Sequence, residues 1–140
     1  MPASKIDTNH QPITKDWVTG AALMIRRELF ESVKGFDERY FMYFEDIDLC
    51  KRVKSNGYGI LYYPKTSLVH LGGKSYQKKD SNIVFEYRRS QLRFYDKQLT
   101  LVQRILVRIY LFTKYLPAMF SPTHHGLGIR VLKLIFHWQY

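Results

Sequence analysis

One cysteine, Cys50, is all the thiol this chain has. That excludes an intrachain disulfide and a thiolate zinc cluster, and it fits a cytosolic, reducing compartment. Acids are scarce beside bases: 12 Asp and Glu stand against 22 Lys and Arg, for a net charge of +10. Long apolar runs are missing too. Nowhere do 18 or more apolar residues follow one another without a charge, so no clear membrane-spanning helix is expected. The opening stretch, MPASKIDTNHQPITKDW, is polar and lacks the apolar core of a signal peptide. No Gly-rich phosphate loop precedes a helix, and no internal repeat is visible.

What is present can build a core. The 140 residues are 46% hydrophobic and include 11 Tyr, 9 Phe and 2 Trp, a composition for one ordinary domain and not for a disordered chain. The charge is unevenly spread. Residues 1–85 hold 13 Lys and Arg against 10 Asp and Glu, whereas residues 86–140 hold 9 against 2, so the basic excess belongs to the tail. Such a tail suits a polyanion. Nucleic acid is the weaker choice, because the bases lie along an otherwise apolar helix instead of an aromatic-studded sheet, and no nucleic-acid-binding motif accompanies them.

Along the chain, residues 1–16 read as a polar leader. WVTGAALMI (17–25) is apolar and β-prone and predicts a buried strand or strand pair, interrupted at Gly20. RRELFESV (26–33) predicts a short helix stopped by Gly35. GFDERYFMYF (35–44) keeps neither a period of 2 nor of 3.6 and predicts a structured loop. EDIDLCKRVKSNG (45–57) has acids in its first turn, bases in its last and Gly57 as a left-handed stop, which predicts a helix. YGILYY (58–63) and TSLVHL (66–71) predict two short strands, the second ended by Gly72 and Gly73. From Ile83 to Leu116 one helical pattern is expected, with Arg93, Lys97, Arg104 and Arg108 in a sector of about 60° and Leu99, Val102, Ile105, Leu106, Ile109, Tyr110 and Leu116 opposite. Pro117 ends it, residues 121–128 predict a loop, and residues 129–140 a last amphipathic segment.

Three places carry possible chemistry, each with a plainer explanation. Glu45, Asp46 and Asp48 at a helix start stabilise the macrodipole by roughly 0.3–1 kcal/mol each. The same position favours the negative charge that a general base carries. His70 closes a strand, either as a structural residue or as a ligand, and the glycines after it permit a close backbone approach. Gly20 marks a bulge or leaves room for a substrate.

Together the pieces carry a resemblance. Residues 16–76, and most specifically GFDERYFMYFEDIDLCKR, are similar to the second half of the catalytic domain of family 2 glycosyltransferases, in the branch of the rhamnosyltransferases and galactofuranosyltransferases. YRRSQLRFYDK (87–97) resembles the segment that follows in those enzymes. The resemblance implies an α/β fold: a partial GT-A (Rossmann-like) domain, its acceptor-side half, over residues 17–82, followed by a basic amphipathic helical tail over 83–140. It implies an inverting transfer of a sugar from a nucleotide-diphosphate sugar donor to a glycan or lipid-linked sugar acceptor. Asp46 falls at the general base, Glu45 beside it positions the acceptor, and Asp48 braces the helix. Trp17, Thr19, Gly20, Gly72 and Gly73 fall in the substrate-binding loops. His70, 24 residues after Asp46, falls at a ligand to a divalent metal, Mn2+ or Mg2+. Phe36, Tyr40, Phe41 and Phe44 fall beneath the acceptor site, most of them as core packing and some against sugar faces.

The family's nucleotide-binding half, with its Asp-X-Asp metal motif, has no counterpart here; the acids before Trp17 are Asp7 and Asp16 alone. The expectation is a fragment, a truncated gene product, or one piece of a split enzyme whose partner chain carries that half, with an incomplete metal site and no transfer by itself. The basic tail predicts either a core helix packed on the missing half with its bases in solvent or, in preference, an in-plane membrane helix on an anionic surface, placing the protein in the cytoplasm, peripheral on the inner face of the cell membrane. The alternative is a non-catalytic membrane-associated or partner-binding remnant of a transferase fold, which would not need Asp46.

Overall fold

The computed structural model describes residues 11–70, 81–121 and 125–136. The chain divides into two compact units. One holds residues 11–39 and 45–70, and the other holds residues 40–44 with everything described from residue 81 onward.

In the first unit, strand β1 (Ile13–Lys15) pairs antiparallel with β2 (Ile60–Tyr62), with Thr14 opposite Leu61. The strand expected over residues 17–25 is not there. Residues 20–22 make a single 3-10 turn, and the strand has moved into the stretch taken for a leader. Local hydrogen bonding explains the change. The Gly20 N–H donates to the Asp46 carboxylate and the Ala21 N–H to the Thr19 hydroxyl, so two donors that a ladder would use are already taken. The strand expected over 66–71 is absent as well, since residues 66–70 are exposed and belong to no helix or sheet. Leu71 lies outside the described residues.

Helix α1 (Arg27–Ser32) carries an exposed Arg27–Glu31 pair one turn apart. It stops at Lys34 and Gly35, both left-handed with φ of 63° and 60°. A Cβ on Gly35 would also stand 3.1 Å from the Phe30 ring, so packing and backbone both favour glycine there. Helix α2 (Glu45–Ser55) runs as its end charges dictate, and Gly57 (φ 83°) closes it by donating to the Lys54 carbonyl. Leu49, Cys50 and Val53 share one face of α2 and form the core with Val33 and Ile60.

The second unit is helical. The single helix expected from 83 to 116 is two: α3 (Ser81–Gln98) and α4 (Leu101–Tyr115). Thr100 breaks it. Its hydroxyl accepts from the Gln103 N–H while the Gln103 side chain accepts from the Thr100 N–H, a reciprocal cap that starts a new helix. The break dissolves the expected basic stripe. Arg108 turns inward, only 7% exposed, and grips Asp96 of α3 through two bonds of 2.7 and 2.8 Å, with Nε donating to the Ile135 carbonyl.

Pro117 ends α4 as expected and opens a 3-10 turn over residues 117–120. Helix α5 (His125–Phe136) begins inside the stretch expected to be a loop. Gly128 lets it lie on that turn, since a Cβ there would come within 2.9 Å of the Ala118 and Met119 backbone. Leu92, Leu111, Tyr115, Val131, Leu132 and Ile135 form the core. Against this stands an exposed face on α4, made by Val102, Ile105, Leu106, Ile109 and Tyr110. No helix among the described residues is long and apolar enough to cross a membrane.

Candidate functional site

The site grows from the start of α2. Tyr43 and Phe44, immediately before it, are both left-handed, with φ of 63° and 68°. Such conformations are uncommon for bulky residues and persist only where the surroundings enforce them. The enforcement is visible in the second unit. Phe44 sits in an aromatic cage of Tyr87, Phe94 and Tyr95 at 5.5, 5.5 and 6.4 Å between ring centres. Ser90 Oγ donates to the Met42 carbonyl at 2.7 Å, and the Lys97 ammonium lies over the Tyr40 ring. The loop 40–44 is thereby held to α3 just before the chain enters α2.

Three carboxylates follow in four residues, and the structure gives each a different environment. Asp48 is completely buried and bonded to Arg52 Nε at 2.8 Å, while Arg52 also donates to the Val33 carbonyl. Asp48 thus braces α2 against the end of α1. Asp46 is half-buried, and backbone N–H groups orient both of its oxygens. Gly20 donates to Oδ2 at 2.9 Å and Ile47 to Oδ1 at 2.8 Å. Glu45 is half-buried too, but its Oε2 is fully covered and accepts no hydrogen bond among the described residues. A covered carboxylate oxygen without a donor is rare in native proteins and calls for an explanation.

Among the residues singled out from sequence, the fold brings Asp46 and Gly20 into direct contact across 26 positions. Thr19 caps the turn that presents the Gly20 N–H. A Cβ on Gly20 would make only an ordinary 3.6 Å contact with Asp46, so the position supplies a donor more than it supplies space. Trp17 is half-exposed, and Val18 is tied to α2 by the Cys50 thiol, which donates to its carbonyl at 3.9 Å. Burial pushes the Cys50 thiol up, the bond to Val18 opposing and the nearby Asp46 charge reinforcing it. The glycines at 72 and 73 lie outside the described residues. Of the aromatics, Tyr40 and Phe44 are buried, Phe36 meets Phe30 edge-on, and Phe41 is largely exposed.

His70 is exposed and stands with no cluster of donors. Among the described residues no three His, Cys, Asp or Glu side chains are grouped to hold a metal. Manganese and magnesium ask for several oxygen ligands. The described donors by themselves do not make a site for such an ion.

Sequence reasoning missed the left-handed Tyr43–Phe44 pair, the covered and unbonded Oε2 of Glu45 and the bond from Gly20. The first had no signal, because neither residue is Gly or Asn. The third left a faint one: a glycine after Thr19 at the start of a short turn.

Comparison with known proteins adds an independent line. A family model described as the N-terminal domain of galactosyltransferase matches residues 2–73. The N-acetylglucosaminyl-diphospho-decaprenol L-rhamnosyltransferase of Mycobacterium tuberculosis is 39% identical over 66 residues, which is 47% of this chain and 21% of that enzyme. Rhamnosyltransferase WbbL of Escherichia coli (strain K12) is 33% identical over 94 residues, 67% of this chain and 36% of the relative. The O-antigen biosynthesis protein RfbC of Myxococcus xanthus is 36% identical over 74 residues, 50% of this chain but 6% of the relative. The chain thus spans about a third or less of the length of these relatives. No solved structure matches it.

Proposed function

This chain belongs to the family of that galactosyltransferase model and, within the family 2 glycosyltransferases, to the rhamnosyltransferase-like kind, and from that premise we propose that it carries the acceptor-side half of a GT-A active site with Asp46 as general base. The observation that carries the reading is the bond from the Gly20 N–H to Asp46. It orients the carboxylate at the mouth of the 17–20 segment, where the acceptor would enter. Asp46 takes the proton of the acceptor hydroxyl as that oxygen attacks the anomeric carbon from the face opposite the leaving nucleoside diphosphate, and configuration inverts. Glu45, half-buried beside it, positions the acceptor. General base catalysis of this kind is worth about 10²–10⁴-fold. The donor is a nucleotide-diphosphate sugar. The acceptor is a glycan on a lipid diphosphate, the class named for the mycobacterial relative.

Asp46→Asn, placed in the gene in its own cells, is expected to abolish transfer from nucleotide sugar in washed membranes while the protein level stays normal. Undiminished turnover would sink the assignment. Two substitutions at Gly20 sharpen it. Pro suits the first position of a helical turn, and Thr19 (φ −71°, ψ 143°) already has the extended backbone that precedes proline. Gly20→Pro therefore removes the donor with little strain and is expected to lower kcat about tenfold or more, whereas Gly20→Ala keeps the N–H and leaves kcat near normal.

A membrane location rests on a different observation, the exposed apolar face of α4. We place that face in the headgroup boundary of the cytoplasmic leaflet, as an in-plane helix. Sedimentation with anionic liposomes at low salt tests it, and a chain left in the supernatant overturns it. The same face would serve a non-catalytic remnant equally well; the Asp46→Asn measurement separates the two readings.

A further inference from the structure

The second unit contains a cavity of about 1000 Å³ between α3, α4, α5 and the turn at 117–120. That is the upper end of the range for small-molecule sites, about 300–1,000 Å³. Its walls divide by chemistry. Phe85, Leu92, Phe112, Met119 and Leu132 are among the side chains that make a mostly apolar interior. Five cations also line it, Arg89, Arg93, Arg108, Arg130 and Lys133, against one acid, Asp96.

Not all of that charge is available. Arg108 is neutralised by Asp96 at 2.7 Å, and Arg89 leans on Glu86 at 3.2 Å. Three cations remain uncancelled. Arg130 bonds only the neutral Asn82 amide and stacks over Phe85 at 4.0 Å. Arg93, half-buried, and Lys133, exposed, make no hydrogen bond or ion pair among the described residues. A half-buried guanidinium without an acceptor is costly unless something anionic meets it.

We propose that this cavity binds a polyprenyl diphosphate lipid, with the diphosphate on Arg93, Arg130 and Lys133 and the first isoprene units in the apolar interior. The charge count selects the diphosphate over a phospholipid, whose single phosphodiester would leave most of the cationic charge unmatched. The occupant's identity rests on the lipid-linked acceptor proposed above. The cavity and its uncancelled cations do not.

The test is calorimetry on the 140-residue chain with farnesyl diphosphate, a soluble short homologue. Saturable one-to-one binding is expected, with inorganic diphosphate and farnesol each binding about tenfold more weakly or worse, since each offers half of the match. Arg93→Glu and, separately, Lys133→Glu are expected to weaken farnesyl diphosphate by about tenfold, and neither side chain has a structural bond whose loss would unfold the helices. Equal affinity for inorganic diphosphate would reduce the site to a phosphate patch and overturn the proposal. Equal affinity for dodecyl phosphate would overturn the diphosphate preference, and indifference to both charge reversals would overturn the location. Asp46→Asn is expected to leave this binding unchanged, so loss of binding with transfer intact defeats only this inference, and loss of the Asp46 role defeats only the catalytic one.

Discussion

Each unit of the chain buries one carboxylate against one arginine, and the two pairs do different jobs. In the first unit Asp48 and Arg52 lie one turn apart on α2. The pair is local, and its reach comes from the second arm of Arg52, which donates to the Val33 carbonyl. In the second unit Asp96 and Arg108 are 12 residues apart on different helices, and both side chains are about nine-tenths covered. That pair joins α3 to α4 and, through Nε, to the end of α5. A buried pair is therefore an internal brace in one unit and the tie that sets helix arrangement in the other.

Breaking the long-range pair should have the larger effect. Asp96→Ala leaves Arg108 buried without a counter-charge, and the expected loss is about 3–5 kcal/mol of stability in chemical denaturation monitored by far-ultraviolet circular dichroism. The joint replacement Asp96→Leu with Arg108→Met removes both charges and should recover most of that loss, because an apolar substitute avoids the desolvation penalty. If the double variant is as unstable as the single one, the pair acts by geometry and not by charge. Asp48→Ala should cost less, about 1–3 kcal/mol, because Arg52 is a quarter exposed and can turn its freed group to water. Equal losses at the two sites would remove the distinction between brace and tie.

The two units also differ in how far they could be read from sequence. End charges, Gly57 and the i, i+1, i+4 spacing of Leu49, Cys50 and Val53 marked α2 almost residue for residue. The strand at 17–25 failed because apolar, β-prone composition says nothing of where N–H groups go, and here Asp46 and Thr19 claim two of them. In the tail, periodicity ran across Thr100 without a break, since residues on both sides keep helical spacing. Only the Thr100–Gln103 spacing signals a new start, and that signal is weak beside the eleven basic and apolar positions that keep phase across it. The expected basic sector assigns Arg108 to the wrong face because its wheel is drawn through the break, whereas Arg108 turns inward to Asp96. The Asp46–Gly20 contact joins residues that a family resemblance had marked separately, but the hydrogen bond itself is a property of the folded chain.

The cap that separates α3 from α4 gives a smaller, sharper comparison. Thr100→Ala removes one half of the reciprocal bond and is expected to destabilise the second unit by about 1 kcal/mol, with no change in the first. Amide hydrogen exchange checks both parts at once, since faster exchange should be confined to the first turn of α4. Exchange rising equally in α2 would mean that the two units open together.

The smallest effect is expected where the same two charge types meet in water. Lys54 donates to Asp16 on the surface of the first unit, and this bond, together with the ammonium's attraction, holds the Asp16 carboxyl below its ordinary value. A carboxyl depressed by folding adds stability above its unfolded value, and that stability is lost as pH falls through the folded one. The sign is thus a loss on acidification, at acid pH and nowhere near neutrality. Its size is another matter. Asp16 is fully exposed, so solvent and salt screen the attraction and the long Lys54 side chain gives up freedom to make it. Asp16→Asn should leave the denaturation midpoint unchanged at neutral pH, at both low and high salt. A clear loss at low salt that vanishes at high salt would show that the surface of the first unit is held by charge more than its buried brace suggests, and would move the contrast between the units from range of contact to degree of exposure.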